Sequence, residues 1–242
     1  MDLTERQKAI LYAIVTEFIE TATPVGSNLI SYKYNLDVSP ATIRYEMVKL
    51  ADEGYISKSH SSSGRIPTVL GYRKYISDLM LEEPIDYMTE ILIARELQKH
   101  KINNKKLMRA LCAVLADITK YASIVLSEEG IHYAGLYNLI DYQEFSDRDV
   151  FKNILISFDD YNMLSNVFNR NYTDSRVKVI IGEESNEKML YECSIVYTEL
   201  TLMAKERIVA AVLGPKRMHF RKVIPIMRSL QDVVNRIILG WI

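Results

Sequence analysis

Three short apolar patterns of helical spacing, each closed by a stop signal, precede a pair of short extended stretches within the first 75 residues. That order constrains the fold more than any other feature of the chain. Ile10, Leu11, Ile14, Val15, Phe18 and Ile19 recur at helical spacing, with Thr4 as cap and Gln7 as its capping-box partner. The helix is expected to end before Pro24, because proline drives its predecessor out of helical backbone. Ser27 is expected to cap a second helix through Tyr34 that buries Leu29 and Ile30. Ser39-Pro40 then starts a third, with a capping hydroxyl and a proline where the missing N–H costs nothing. There Ile43, Met47, Leu50 and Ala51 share the inward face, and Ala41, Thr42, Arg44, Tyr45, Val48 and Lys49 lie on or near the other. Gly54 stops the helix, and two extended stretches, 55–58 and 65–68, follow. They are joined by His60-Ser61-Ser62-Ser63-Gly64, and Gly71-Tyr72-Arg73-Lys74-Tyr75 opens a fourth helix.

Helix, helix, helix and basic hairpin in that order predict a winged helix-turn-helix, with duplex DNA as its partner. The outer face of the third helix begins at its N-terminal end, the end a recognition helix presents to base edges. Arg44 is the foremost base-contact residue expected, with Thr42 and Tyr45, and Ser27, Ser39, Ala41 and Lys49 belong to the same surface. Short hydroxyls, a glycine and a flanking arginine suit a wing lying along phosphates, which adds His60, Ser61, Ser62, Ser63, Gly64, Arg65 and Thr68. Arg73 and Lys74 can reach the backbone as well. The formal net charge of the chain is only -1. Residues 39–74, however, hold six basic side chains against three acidic ones, and the local patch governs phosphate attraction. The same elements also serve as protein-interaction scaffolds, a reading that a neutral or acidic third-helix face would favour.

Several runs carry a resemblance to a known family. Pro24-Val25-Gly26-Ser27, Ser39-Pro40-Ala41-Thr42-Ile43-Arg44 and above all residues 60–68 followed by Gly71-Tyr72 resemble HrcA, the heat-inducible repressor of bacterial chaperone operons. Weaker similarity continues in residues 134–138, Glu144-Phe145, residues 181–184 and residues 213–218. The resemblance implies a repressor that binds an inverted-repeat operator as a homodimer, a chaperonin that assists its active fold, and a GAF-like second domain. Two departures stand in the third helix: Tyr45 replaces a usual asparagine, which reads adenine bidentately as tyrosine cannot, and Pro40 a small polar residue. The family's inserted dimerising domain has no counterpart, since residues 125–130 run almost directly into 131–135. Subunits would then pair through the helices after the linker or through the C-terminal helix.

The expected domains are a winged helix over 1–81, a linker over 82–87 and a GAF-like regulatory and dimerisation domain over 88–242, giving an α+β chain. In the second domain helices are expected over 91–99 and 106–121, strands over 122–126 and 131–139, and one long helix over 147–168. A strand at 177–181, a hairpin of 193–203 with 208–213, and a helix over 223–238 complete an antiparallel sheet flanked by helices. The composition, 48% hydrophobic and 25% charged, is that of a folded protein. No secretory leader or membrane-length apolar run is read, so the expected location is cytoplasmic with no membrane partner. Cys112 and Cys193 suit buried thiols, and His60, His100, His132 and His219 lack metal-ligand spacing. With no phosphate loop, dinucleotide fingerprint or nucleophile elbow, neither catalysis nor a cofactor is expected. The alternative function is a ligand-gated regulator of other genes, its second domain acting as a small-molecule sensor.

Overall fold

A computed structural model describes residues 3–34, 36–58, 64–170 and 175–240. It divides into two compact units, Met1–Leu81 and Glu82–Ile242.

The first unit begins with α1 (Glu5–Thr21), whose capping box forms: the Thr4 hydroxyl accepts from the Gln7 N–H and the Gln7 side chain from the Thr4 N–H. The helix closes at Ala22 in left-handed backbone. α2 (Ser27–Tyr34) opens with a hydrogen bond from the Ile30 N–H to the Gly26 carbonyl, so Gly26 stands at the cap position expected of Ser27. Ser27 lies instead inside the first turn and is buried. Leu29, expected in the core, is 41% exposed. In so short a helix Ser27 and Ile30, three apart, occupy the inward arc and leave Leu29 outside it. α3 (Pro40–Asp52) follows with Ser39 accepting from the Thr42 N–H at 3.2 Å, and its core side chains are Ile43, Met47 and Leu50, with Ala51 only half-buried.

The wing is built from β1 (Ile56–Lys58) and β2 (Arg65–Pro67), paired antiparallel with Lys58 opposite Arg65. On its other side Arg65 exchanges two 2.9 Å backbone hydrogen bonds with Val25, which fastens the wing to the turn between α1 and α2. α4 (Val69–Lys74) is capped by Thr68 and runs into a π-helical turn, Tyr75–Leu79. Two glycines make this docking possible. A β-carbon on Gly64 would lie 2.7 Å from that of Pro24, and one on Gly71 only 2.1 Å from the Tyr55 carbonyl oxygen.

The second unit comprises α5 (Tyr87–Gln98), α6 (Asn104–Thr119), β3 (Ala122–Ser127), β4 (Gly130–Ala134), α7 (Arg148–Asp159), α8 (Tyr161–Arg170), β5 (Lys178–Ile181), β6 (Cys193–Thr201), β7 (Arg207–Pro215) and α9 (Phe220–Ile238). Its strands pair antiparallel in the order β4-β3-β7-β6-β5. Counted within the unit this is second, first, fifth, fourth, third. α7 and α8 pack on one face through Ile154, Phe158, Leu164 and Phe168, and α6 and α9 pack on the other. The whole is α+β, a winged helix followed by a GAF-like domain.

Two expected elements differ. The long helix over 147–168 is two helices, because Asp160 leaves helical backbone and its carboxylate accepts from the Met163 N–H at 2.9 Å to cap α8. The strand expected to reach 139 stops at Ala134, where Gly135 at φ 74° turns the chain into a 3-10 helix, Leu136–Asp141. A β-carbon on Gly135 would lie 2.6 Å from that of Ala116.

Residues 82–87, read as a linker, are bound into the second unit. Asp86 caps α5, and Arg228 of α9 donates to the Glu82 carboxylate. Both cysteines are buried, and burial pushes the Cys112 thiol up to about 12.

Candidate nucleic-acid interface

The helix-turn-helix is locked by a buried carboxylate. Glu17 of α1 accepts from the Tyr34 hydroxyl at 2.8 Å and pairs with Lys33 at 2.5 Å, tying the end of α2 to α1. Burial and the neighbouring carboxylate push the Tyr34 phenol up. With α2 so fixed, α3 turns Ala41, Arg44, Tyr45 and Val48 outward, Tyr45 being 61% exposed. Thr42 is half-buried and its hydroxyl is bonded to that of Ser39 at 3.0 Å. Lys49 lies 4.4 Å above the Tyr45 ring and 3.5 Å from the Glu46 carboxylate, so a buried acid partly offsets its charge.

Beside α3 opens a surface cavity of about 510 Å³ lined by Gly26, Ser27, Asn28, Arg44, Met47, Lys58 and Arg65. Of the expected contact residues it gathers Ser27, Arg44 and Arg65, and it adds Gly26, Asn28 and Lys58. Arg65 is no exposed loop arginine: it is 8% exposed and strand-held. Lys58 has a sequence signal, a basic residue ending the first wing strand, whereas Asn28 has none.

The other wing-root residues serve the fold. The Thr68 hydroxyl accepts from the Gly71 N–H at 3.1 Å and lies within donating reach of the Gly54 and Tyr55 carbonyls. Lys74 is paired with Asp78, and Arg73 is half-buried. His60, Ser61, Ser62 and Ser63 lie outside the described residues.

The family model described as HrcA protein C terminal domain matches residues 67–224. This chain belongs to the HrcA family. The heat-inducible transcription repressor HrcA of Carboxydothermus hydrogenoformans is 45% identical over 128 residues, 52% of this chain and 37% of that relative. The one from Pelotomaculum thermopropionicum is 25% identical over 345 residues, 99% of each. That alignment is longer than the 242-residue chain, so parts of that HrcA have no counterpart here. A crystal structure of a hypothetical protein has the same fold, with a TM-score of 0.74, 20% identity and 98% of each chain covered.

Within the second unit the weaker HrcA-like runs converge on one joint. The Asn138 amide donates to the carbonyls of Tyr121 and Ala116, at 3.1 and 3.2 Å. Arg217 forks onto the Glu144 carboxylate, and the Tyr121 and Tyr142 rings stack 5.4 Å apart. Gly214 admits the Tyr121 ring, which a β-carbon would meet at 2.5 Å. Lys216 pairs with Glu183 and Glu192. These runs therefore hold the 3-10 segment and the strand ends together. A separate cavity of about 590 Å³ lies among Leu126, Tyr161, Phe168, Glu199 and Arg207. Among the described residues there is no group of three or more His, Cys, Asp or Glu able to hold a metal ion, and no helix long and apolar enough to cross a membrane.

Proposed function

We propose that this HrcA-family chain is a transcription repressor of heat-shock chaperone operons that binds an inverted-repeat operator in the cytoplasm. The observation that carries the reading is the exposed face of α3 beside a cavity whose described lining residues include three cations and no acid. α3 enters the major groove with Arg44 foremost and Ala41, Thr42 and Tyr45 beside it toward base edges. Ser39 and Lys49 flank them, and the wing, residues 60–65, follows the backbone with Arg73 and Lys74 beyond it. No catalytic step is assigned to the chain.

Selection of bound duplexes from random DNA tests this reading. A two-fold symmetric motif is expected, and Tyr45→Asn shifts the base preferred at one position of each half. Recovery of no enriched sequence overturns it.

An inverted repeat calls for a two-fold partner. We assign the pairing to α5, which exposes Tyr87, Met88, Ile91 and Leu92 at i, i+1, i+4 and i+5 on one face. The apolar face of α9 is already spent on the sheet.

By the family resemblance a chaperonin supports the active fold. Thermal loss of operator binding, followed with and without chaperonin, is expected to differ, and identical curves overturn that link. The cavity of the second unit supports a second reading, in which a small molecule gates DNA binding. Its polar Glu199 and Arg207 beside apolar Leu126 and Phe168 are the combination a ligand site needs.

A further inference from the structure

We infer that Arg44, Lys58 and Arg65 form a seat for one backbone phosphate of the duplex, so that Arg44 anchors the protein and reads no base. The inference rests on the DNA-binding reading and changes the role of its foremost residue.

Three cations from three elements, α3, β1 and β2, line one cavity, and none of its other described lining residues is charged. Lys58 and Arg65 stand directly opposite each other in the wing ladder, an arrangement of like charges that destabilises a strand pair. Arg65 is fixed there by its backbone bonds to Val25 and by burial. Arg44 comes to the same place from the second turn of α3. Like charges gathered at one concavity become favourable when an anion enters from outside. A phosphodiester is the anion a duplex supplies, and guanidinium forks with an ammonium suit its two free oxygens. Asn28, on the lining at the start of α2, adds an amide donor.

Shape separates this role from base reading. Base edges lie at the floor of the groove and are met by side chains that stand out from a helix clear of the hollow, as Tyr45 and Val48 do, whereas the outward Arg44 lines it. Phosphates project from the duplex and can enter a hollow on the protein.

The test uses the full chain, a duplex recovered by selection and a scrambled duplex. Arg44→Ala and Lys58→Ala are expected to lose affinity about equally for both duplexes. Each should also reduce the slope of log K against log salt by about one, whereas Tyr45→Ala changes the ratio between duplexes and leaves the slope. Neutral methylphosphonates placed one at a time should identify a single position at which neither Arg44→Ala nor Lys58→Ala costs further affinity. Both positions are exposed, and unchanged thermal melting establishes that the variants fold.

Loss of preference at one base pair by Arg44→Ala, with the salt slope intact, overturns the seat and makes Arg44 a base reader. Inorganic phosphate at matched ionic strength is expected not to displace the duplex. If it displaces the duplex from the wild type and not from Lys58→Ala, the hollow serves the free anion and the phosphodiester assignment falls. A wild-type chain that binds neither duplex refutes the DNA-binding reading itself, a result distinct from all of these.

Discussion

The Glu83 backbone N–H donates to the Arg221 carbonyl at 3.0 Å, and that carbonyl is the acceptor which Pro225, four residues on in α9, leaves without a helical donor. A proline inside a helix thus creates a docking point, and the stretch before α5 fills it. Glu83→Pro, which removes the donor, is expected to lower the stability of the second unit by about 1–3 kcal/mol. Pro225→Ala restores a helical donor and should recover part of that loss. A double-mutant cycle by urea denaturation measures the coupling, and additive effects would show that the two residues act independently.

The Glu17 carboxylate is buried and serves both Tyr34 and Lys33. Glu17→Gln is expected to cost the first unit about 2 kcal/mol, read from its denaturation midpoint, because a charged acceptor is lost in a buried place.

A pH dependence follows from the same contact. Burial first, and then the Glu17 carboxylate, raise the Tyr34 phenol in the folded chain. Its contribution to stability is full below the ordinary phenol value of about 10 and is lost as pH rises from there through the folded value. Tyr34→Phe should flatten this alkaline loss, and an unchanged profile would show that other groups govern it.

Gly71 lies against the Tyr55 carbonyl with no room for a β-carbon. Gly71→Ala is expected to destabilise the wing by about 3 kcal/mol through forced separation of α4 from the strand root. Operator affinity should fall with it. A normal melt with normal DNA binding would mean that the contact relaxes at little cost.

Leu92 lies on the exposed apolar face of α5. Leu92→Glu should leave the melting temperature nearly unchanged and shift sedimentation from dimer to monomer. Affinity for the inverted repeat then falls toward that for a half-site. A variant that remains dimeric excludes α5 as the pairing surface.

The third helix is legible in the sequence where its signals are local. Ser39-Pro40, Gly54 and the apolar spacing of Ile43, Met47 and Leu50 placed α3 and its outward face correctly. Leu29 failed because periodicity in an eight-residue helix does not say which arc faces in. The expected long helix over 147–168 is two helices because Asp160 leaves helical backbone to cap the second, which the apolar spacing around it does not encode. Of the wing run that carries the resemblance, Gly64 and Thr68 hold the wing root in place, as does Gly71 just beyond it.

Local sequence signals suffice for the capped first and third helices of the first unit, the wing strands, the antiparallel α+β pattern and the family to which the chain belongs. These depend on interactions spanning a few residues, such as Thr4 with Gln7, or on runs specific enough to compare. Tertiary structure alone decided that Arg65 is buried opposite Lys58, that Arg44 joins them at one hollow, and that Glu83 completes a helix far along the chain. Those partners meet only after the chain has folded back on itself. No local spacing encodes which distant backbone group or like charge a side chain will face.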